Sequence, residues 1–369
     1  MRLRALLIYL SVLTVVGCNS TVPSAVSTGT AKRAYNGSAS VGDFLAITLD
    51  PVALTLTYND LSNGDTGVVP YVVNSDGTYT LNDPNHNLLV AYEVPNYALL
   101  LQAAKAGPNH DTLALVTAVQ KSTISLATWA GHDYNYMQFR TSSGGIEVGS
   151  ILLDEQANVS LTSYWPYGAT GQGNPFHAGG FAGSSFHADP SGSFLTLSEG
   201  NNTSDYVFGT PNGIFAVDNS NGTILGLKKA ATKNFDPTFA GTYKAIYYQK
   251  TGAQSGQGGQ GNIETGTPSL GTATMVIDAS ANITVTDSVG KVLVQAILTP
   301  VADTDYLYGP EELQDPCDGL FTFRLTTATS QRDVFVTFMD RAILFSSFKG
   351  TLPWSYTNTY DYLYGVGLK

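Results

Sequence analysis

Charge is scarce in this sequence. Aspartate, glutamate, lysine and arginine make up 13% of its 369 residues, against about 25% in an ordinary soluble domain. What charge there is leans acidic, to a net −11, and an acidic surface repels phosphate backbones, which excludes nucleic acid as a partner. Cysteine is nearly absent, with two in the whole chain, Cys18 and Cys317. Long apolar runs are missing too: Ala5–Val16 is 12 residues, short of the roughly 20 that a membrane-spanning helix needs. Helical periodicity is rare, its best candidate being Tyr97–Lys105, which is short enough to be a strand running into a turn. No Gly-x-Ser-x-Gly elbow, Walker A loop or His-Glu-x-x-His helix is present. No catalytic constellation stands out, and no cofactor is expected.

The chain opens with a basic stretch, Met1-Arg2-Leu3-Arg4, then the uncharged Ala5–Val16, then Val15-Val16-Gly17-Cys18. A basic start, a short apolar core and a small residue before the cut make a secretory signal over residues 1–17. From the residues alone, cleavage near Gly17 with an incidental cysteine stays open. The run resembles the lipobox of bacterial lipoproteins. That resemblance implies a diacylglycerol thioether on Cys18, cleavage before it, and an acylated new amine, with palmitate-type chains. Two or more chains anchor a protein stably, because each buried CH₂ contributes about 0.8 kcal/mol. Asn19, rather than Asp, after the cysteine resembles the pattern sorted to the outer membrane in a diderm cell. The expected address is the cell envelope, with the membrane as partner through the lipid.

With Cys18 acylated, Cys317 has no partner for a disulfide. It sits in Asp315-Pro316-Cys317-Asp318-Gly319, where carboxylates disfavour a thiolate, so a small buried or turn-lining thiol is expected. Residues 18–40, rich in Ser, Thr, Ala and Gly, read as a flexible tether.

After residue 41 the sequence turns to short alternating runs of Val, Ile, Thr, Tyr and Phe between Gly, Asn and Asp turns. Three modules recur. Asp154–Thr162 (DEQANVSLT) matches Asp278–Thr286 (DASANITVT), with a looser copy at Asp50–Thr57. Asn74–Leu81 echoes Asp189–Leu197. Val90–Tyr92 leading to Ala98–Leu100 echoes Ile214–Val217 leading to Ile224–Leu225, and Val334–Val336 leading to Ile343–Leu344. Asp361–Gly365 (DYLYG) repeats Asp305–Gly309 and is close to Asp205–Gly209; it falls outside the repeat frame and reads as an aromatic strand end. Three units are expected, at 41–121, 122–233 and 234–369: all-β, repeated antiparallel meanders forming two or three small barrels or sandwiches. The module order resembles repeats of uncharacterised secreted β-rich bacterial proteins, a likeness that implies no activity.

The candidate sites are few. His110-Asp111 and His132-Asp133 put imidazole beside carboxylate, but neighbours on a strand face opposite ways. His86, His177 and His187 read as loop histidines, and no metal is expected. Gly256–Gly261 fits Gly-x-Gly-x-x-Gly inside a Gly/Gln/Ser stretch and reads as a hairpin insertion. Asp303, Asp305, Glu311, Glu312, Asp315 and Asp318 cluster without the spacing of a calcium loop, and Asp218–Gly222 is at most half of one. Aromatic loop residues are the better lead: Tyr164, Trp165 and Tyr167, then Trp354 and Tyr356. They can stack on a sugar or plug a barrel end. The leading expectation is a lipid-anchored envelope protein with a non-enzymatic binding or scaffolding role. The alternatives are a barrel holding a glycan or small ligand, in the manner of a lectin or carrier, and an envelope hydrolase. A glycan or an envelope protein is the expected partner besides the membrane.

Overall fold

The computed structural model describes residues 29–82, 88–141, 145–167, 184–189, 194–199, 202–219, 222–254, 266–301, 318–351 and 359–369. They form three consecutive antiparallel β bodies, two of them closed barrels.

The first barrel comprises β1 (Arg33–Ala39), β2 (Asp43–Asp50), β3 (Thr55–Asp60), β4 (Thr66–Val73), β5 (Thr78–Asn82), β6 (Leu88–Val94), β7 (Ala98–Ala106) and β8 (Thr112–Gln120). Neighbours in sequence pair in order, and β1 closes on β8 with Gly37 opposite Ala118. The second is preceded by a one-turn helix, α1 (Leu126–Trp129). It runs through β9 (His132–Arg140), β10 (Gly145–Leu153), β11 (Asn158–Tyr167), β12 (Ser184–Ala188), β13 (Leu195–Glu199), β14 (Asn202–Gly209), β15 (Ile214–Asn219) and β16 (Gly222–Lys228), which closes on β9.

The third body follows a short 3-10 turn at Pro237–Phe239. Its strands are β17 (Gly241–Gln254), β18 (Thr267–Ile277), β19 (Asn282–Asp287), β20 (Val292–Ile297), β21 (Thr299–Pro300), β22 (Leu320–Thr326), β23 (Ser330–Met339), β24 (Ala342–Thr351) and β25 (Thr359–Leu368). The sheet order places β20 and β21 at its two edges, and these are joined through Leu298 alone. The sheet therefore curls nearly shut, leaving one seam.

One expectation needs correction. The stretch 18–40 is not tether throughout, because β1 begins at Arg33. Its outward side chains, Asn36, Ser38 and Ser40, are polar yet buried, since they face the second barrel; that polarity made the segment look like a linker. Tyr97–Lys105, the best helical candidate, takes the other form its length allowed, a strand running into a turn: Ala98–Ala106 is β7. Leu99 and Leu101 point into the barrel while Leu100 points out into a second core, so both faces are apolar and alternation disappears.

The repeat is visible in detail. Asp50, Asp154 and Asp278 each open the turn between the second and third strand of their unit. The Asp154 carboxylate accepts N–H bonds from Gln156 and Asn158 and the Asn158 amide. Asp278 does the same with Ser280 and Asn282. Ala157 and Ala281 take positive φ at 62° and 64°, a left-handed position that the carboxylate bonds hold in place. Val159 and Ile283 then point into their cores. The third module drifts: Val90–Tyr92 lies on β6, the sixth strand of its unit, whereas Ile214–Val217 lies on β15, the seventh.

Each body has its own core, and a further core lies between all three. It joins Phe44, Leu100 and Leu115 of the first to Met137, Phe139 and Phe208 of the second and to Tyr248, Tyr362 and Tyr364 of the third. Each fully buried Leu or Phe contributes about 1.5–3 kcal/mol, so this shared core couples the three bodies. The motifs at 205–209 and 361–365 supply it. Tyr206 stacks on Phe44 at 4.5 Å, and Tyr364 lies flat on Phe139 at 4.5 Å. The copy at 305–309 lies outside the described residues. Asp218, read as half a calcium loop, faces this interface instead. It accepts the Ser38 hydroxyl, and burial holds its carboxyl well above the ordinary value.

Candidate functional site

The first strand of every unit carries a tyrosine two residues in: Tyr35, Tyr134 and Tyr243, all fully buried at one end of their barrel, here called the floor. In the second barrel the next inward position is Tyr136, and Trp129 of α1 seals the floor by donating its indole N–H to Thr210 O at 3.0 Å. Phe186 and Phe215 fill the space above it. In the third body the 3-10 turn brings in Phe239, stacked on Phe338 at 5.5 Å, with Phe235 and Phe321 edge-on to the same ring.

The first barrel is built differently. Its floor is polar: Glu93 takes two bonds from Arg33, at 2.5 and 2.8 Å, and the phenol protons of Tyr35 and Tyr79 at 2.5 and 2.7 Å. Every lone pair aimed inward is used, which is what a buried carboxylate requires. The bonds to Glu93 push the Arg33 guanidinium above its ordinary value, and burial does the same for Tyr35 and Tyr79.

Above this floor the inward side chains are small. Gly37, Ala114 and Ala118 on β1 and β8 pack closely there, a Cβ on Gly37 coming within 2.9 Å of Ala118 and 3.3 Å of Ile47. Nearer the mouth, bounded on these two strands by Ala39 and Val116, lies a cavity of about 590 Å³, within the range typical of small-molecule sites. Leu45, Ile47, Leu56, Leu81, Leu101 and Val116 form its wall. Tyr58 lies over Gly67 on the neighbouring strand, where a Cβ would come within 2.5 Å of the ring.

The mouth is polar. Asp43 and Asp60, both buried, share the side-chain amide of Asn63 at 2.8 and 3.0 Å. Asp43 also accepts the Gly107 N–H at 2.7 Å, and Asp60 accepts those of Ser62 and Asn63. Burial, reinforced by the charge of Asp60, pushes the Asp43 carboxyl above its ordinary value against the pull of the Gly107 bond. His110 Nε2 stands 3.3 Å from Asp65 Oδ2, joining the β3–β4 and β7–β8 turns across the opening. The β5–β6 connection, residues 83–87, lies outside the described residues.

The sequence-predicted aromatic site is not assembled by the described atoms. Tyr164, Trp165 and Tyr167 lie in the second half of β11, but their side chains fall outside what is described, and Trp354 and Tyr356 lie in an undescribed segment. So do Cys18, Cys317, His86, His177, the 256–261 glycine run and the acidic cluster apart from Asp318. His187 bonds to Ser185 and Ser198 at 2.9 and 2.8 Å. Among the described residues no group of three His, Cys, Asp or Glu side chains is placed to hold a metal, and no helix is long and apolar enough to cross a membrane. Sequence reading missed the cavity, whose lining is spread over strands from β1 to β8 and left no local signal.

The geometry defines an all-β protein with an apolar, open-ended cavity in one closed barrel. No family model matches the sequence, and no curated protein matches it. Among solved structures it is similar to transferrin binding protein B of Haemophilus parasuis Hp5, at 8% identity and a TM-score of 0.21 over 88% of this chain and 65% of that one. The isotype 1 transferrin binding protein B of serogroup B Neisseria meningitidis gives 9% identity and 0.20, over 89% and 66%. A protein of unknown function from Nostoc punctiforme gives 8% and 0.16, over 92% and 94%. The chain thus spans just under two thirds of the length of these two transferrin-binding proteins. Likeness at such scores assigns nothing to this chain.

Proposed function

We propose that this chain is a lipid-anchored, non-enzymatic binding protein of the cell envelope, whose first barrel carries a small apolar ligand. One observation supports this above the rest: the first barrel keeps an open cavity of about 590 Å³ with an aliphatic wall, while rings such as Phe186 and Phe215, or Phe321 and Phe338, pack the interiors of its two sister bodies. Filling that space with one or two larger side chains would stabilise the barrel, since interiors are otherwise close-packed. A wall of Leu, Ile and Val favours an apolar guest over a glycan, whose hydroxyls would find few partners there. As for hydrolase chemistry, Asp43 and Asp60 are held by backbone N–H groups and the Asn63 amide. These bonds fix both side chains as turn caps rather than aiming them at a substrate.

The test is a titration of the full chain with N-phenyl-1-naphthylamine, a neutral fluorophore that brightens in apolar surroundings. Saturable brightening is expected, and Ala39→Trp, which puts an indole into the cavity, abolishes it while leaving the sheet circular dichroism unchanged. Equal brightening in both proteins would sink the reading.

A further inference from the structure

Wall and mouth of the first barrel differ in chemistry, and the difference bears on the ligand's polar end. This inference rests on the reading of that cavity as an apolar-ligand site. At the floor, Glu93 is fully paired with Arg33, Tyr35 and Tyr79, so nothing there remains to receive a polar group. A guest with one polar end therefore enters apolar end first and leaves its head at the mouth. There it meets Asp43, Asp60 and Asp65. The donors that reach Asp43 and Asp60 are all neutral: backbone N–H groups and the single amide of Asn63. Among the described residues neither carboxylate has a lysine or arginine in ion-pair contact. Lys105 also lines the cavity but is exposed to solvent, and among the described residues Asp65 faces His110. Two buried carboxylates sharing one neutral amide beside an aliphatic wall concentrate negative potential where the head must sit.

We infer that the ligand is an amphiphile with an apolar body and a cationic, amine-type head seated among Asp43, Asp60 and Asp65. A fatty carboxylate would place a fourth negative charge in the same opening, and the site discriminates against it. The cavity gives affinity through its wall; the mouth selects the head.

The naphthylamine reporter, bound to the full chain, supplies the test, with dodecylamine, dodecanol and dodecanoate as competitors below their micelle concentrations. Because the reporter brightens in the cavity, amine adsorbed elsewhere on the acidic surface does not register. Dodecylamine is expected to displace it at a concentration at least about tenfold lower than dodecanoate, with dodecanol between them. Asp65→Lys, at a half-exposed lip position that tolerates substitution, should narrow or invert that ratio, and Asp43→Asn should narrow it. Dodecanoate displacing as well as the amine, or a ratio unchanged in Asp65→Lys, would overturn the inference while leaving the binding reading intact. Failure of the reporter to enter the wild-type barrel would overturn both.

Discussion

The Thr141 hydroxyl, just past the end of the second barrel's first strand, lies 2.6 Å from the phenol oxygen of Tyr364 in the third body. The same hydroxyl is 2.7 Å from that of Ser40, just past the first strand of the first barrel. One chain of three buried hydroxyls therefore touches all three bodies, inside a core that they share. Thr141→Val keeps the shape and removes the link, leaving Ser40 and Tyr364 short of a partner. The expected cost is about 1–3 kcal/mol, read as a lowered urea midpoint. The transition should also stay single, because the shared core couples the bodies; separate transitions would show that the coupling is weaker than the packing implies.

Buried phenols make the fold alkali-sensitive. Burial raises Tyr97, Tyr134, Tyr243 and Tyr364 above the ordinary tyrosine value, and pushes Tyr248 up to about 12. Folding favours the neutral phenol, so this stability is whole below the unfolded value near 10 and is lost as the pH climbs through the folded ones. Absorbance at 295 nm should show the buried phenols ionising together with loss of the sheet circular dichroism, above about pH 10. Smooth titration of all tyrosines near pH 10 in a folded protein would contradict this.

Glycines leave room for aromatic rings on neighbouring strands. A Cβ on Gly226 would lie 2.1 Å from the Phe215 ring on the neighbouring strand, and one on Gly271 would lie 2.3 Å from Tyr247. Gly226→Ala is expected to cost about 1–3 kcal/mol through overpacking. Gly29→Ala, with open space around it, should be silent in the same thermal melts.

Much of the architecture was legible because it was local. Asp154 and Asp278 announce their turns through side chains that bond two and four residues ahead, and alternation announces the strands. What stayed hidden was set by distant partners. Ser38 and Ser40 look like linker until a second barrel covers them. Leu99 to Leu101 look helical until two separate cores claim opposite faces. The cavity was written as scattered aliphatic residues, Leu45 on β2, Leu56 on β3, Leu101 on β7 and Val116 on β8, that meet only when β1 closes on β8. The mouth was less visible still, since Asp43 and Asp60 are 17 positions apart and meet only through Asn63.

The anchor rests on the N-terminal motif. Cys18→Ser should move the protein from the membrane to the soluble fraction or leave the precursor uncut. Mass spectrometry of the wild-type N-terminus should find acylated Cys18, and an unmodified residue at another position would refute the lipobox reading.

The most direct measurement for the central claim is methyl NMR of the full chain on addition of an apolar ligand such as dodecylamine. The account predicts saturable shifts at Leu45, Ile47, Leu56, Leu101 and Val116, with Val217 and Ile283 in the cores of the other bodies unmoved. Shifts confined instead to outward methyls such as Val289, Val292 and Leu293, or absent altogether, would contradict it.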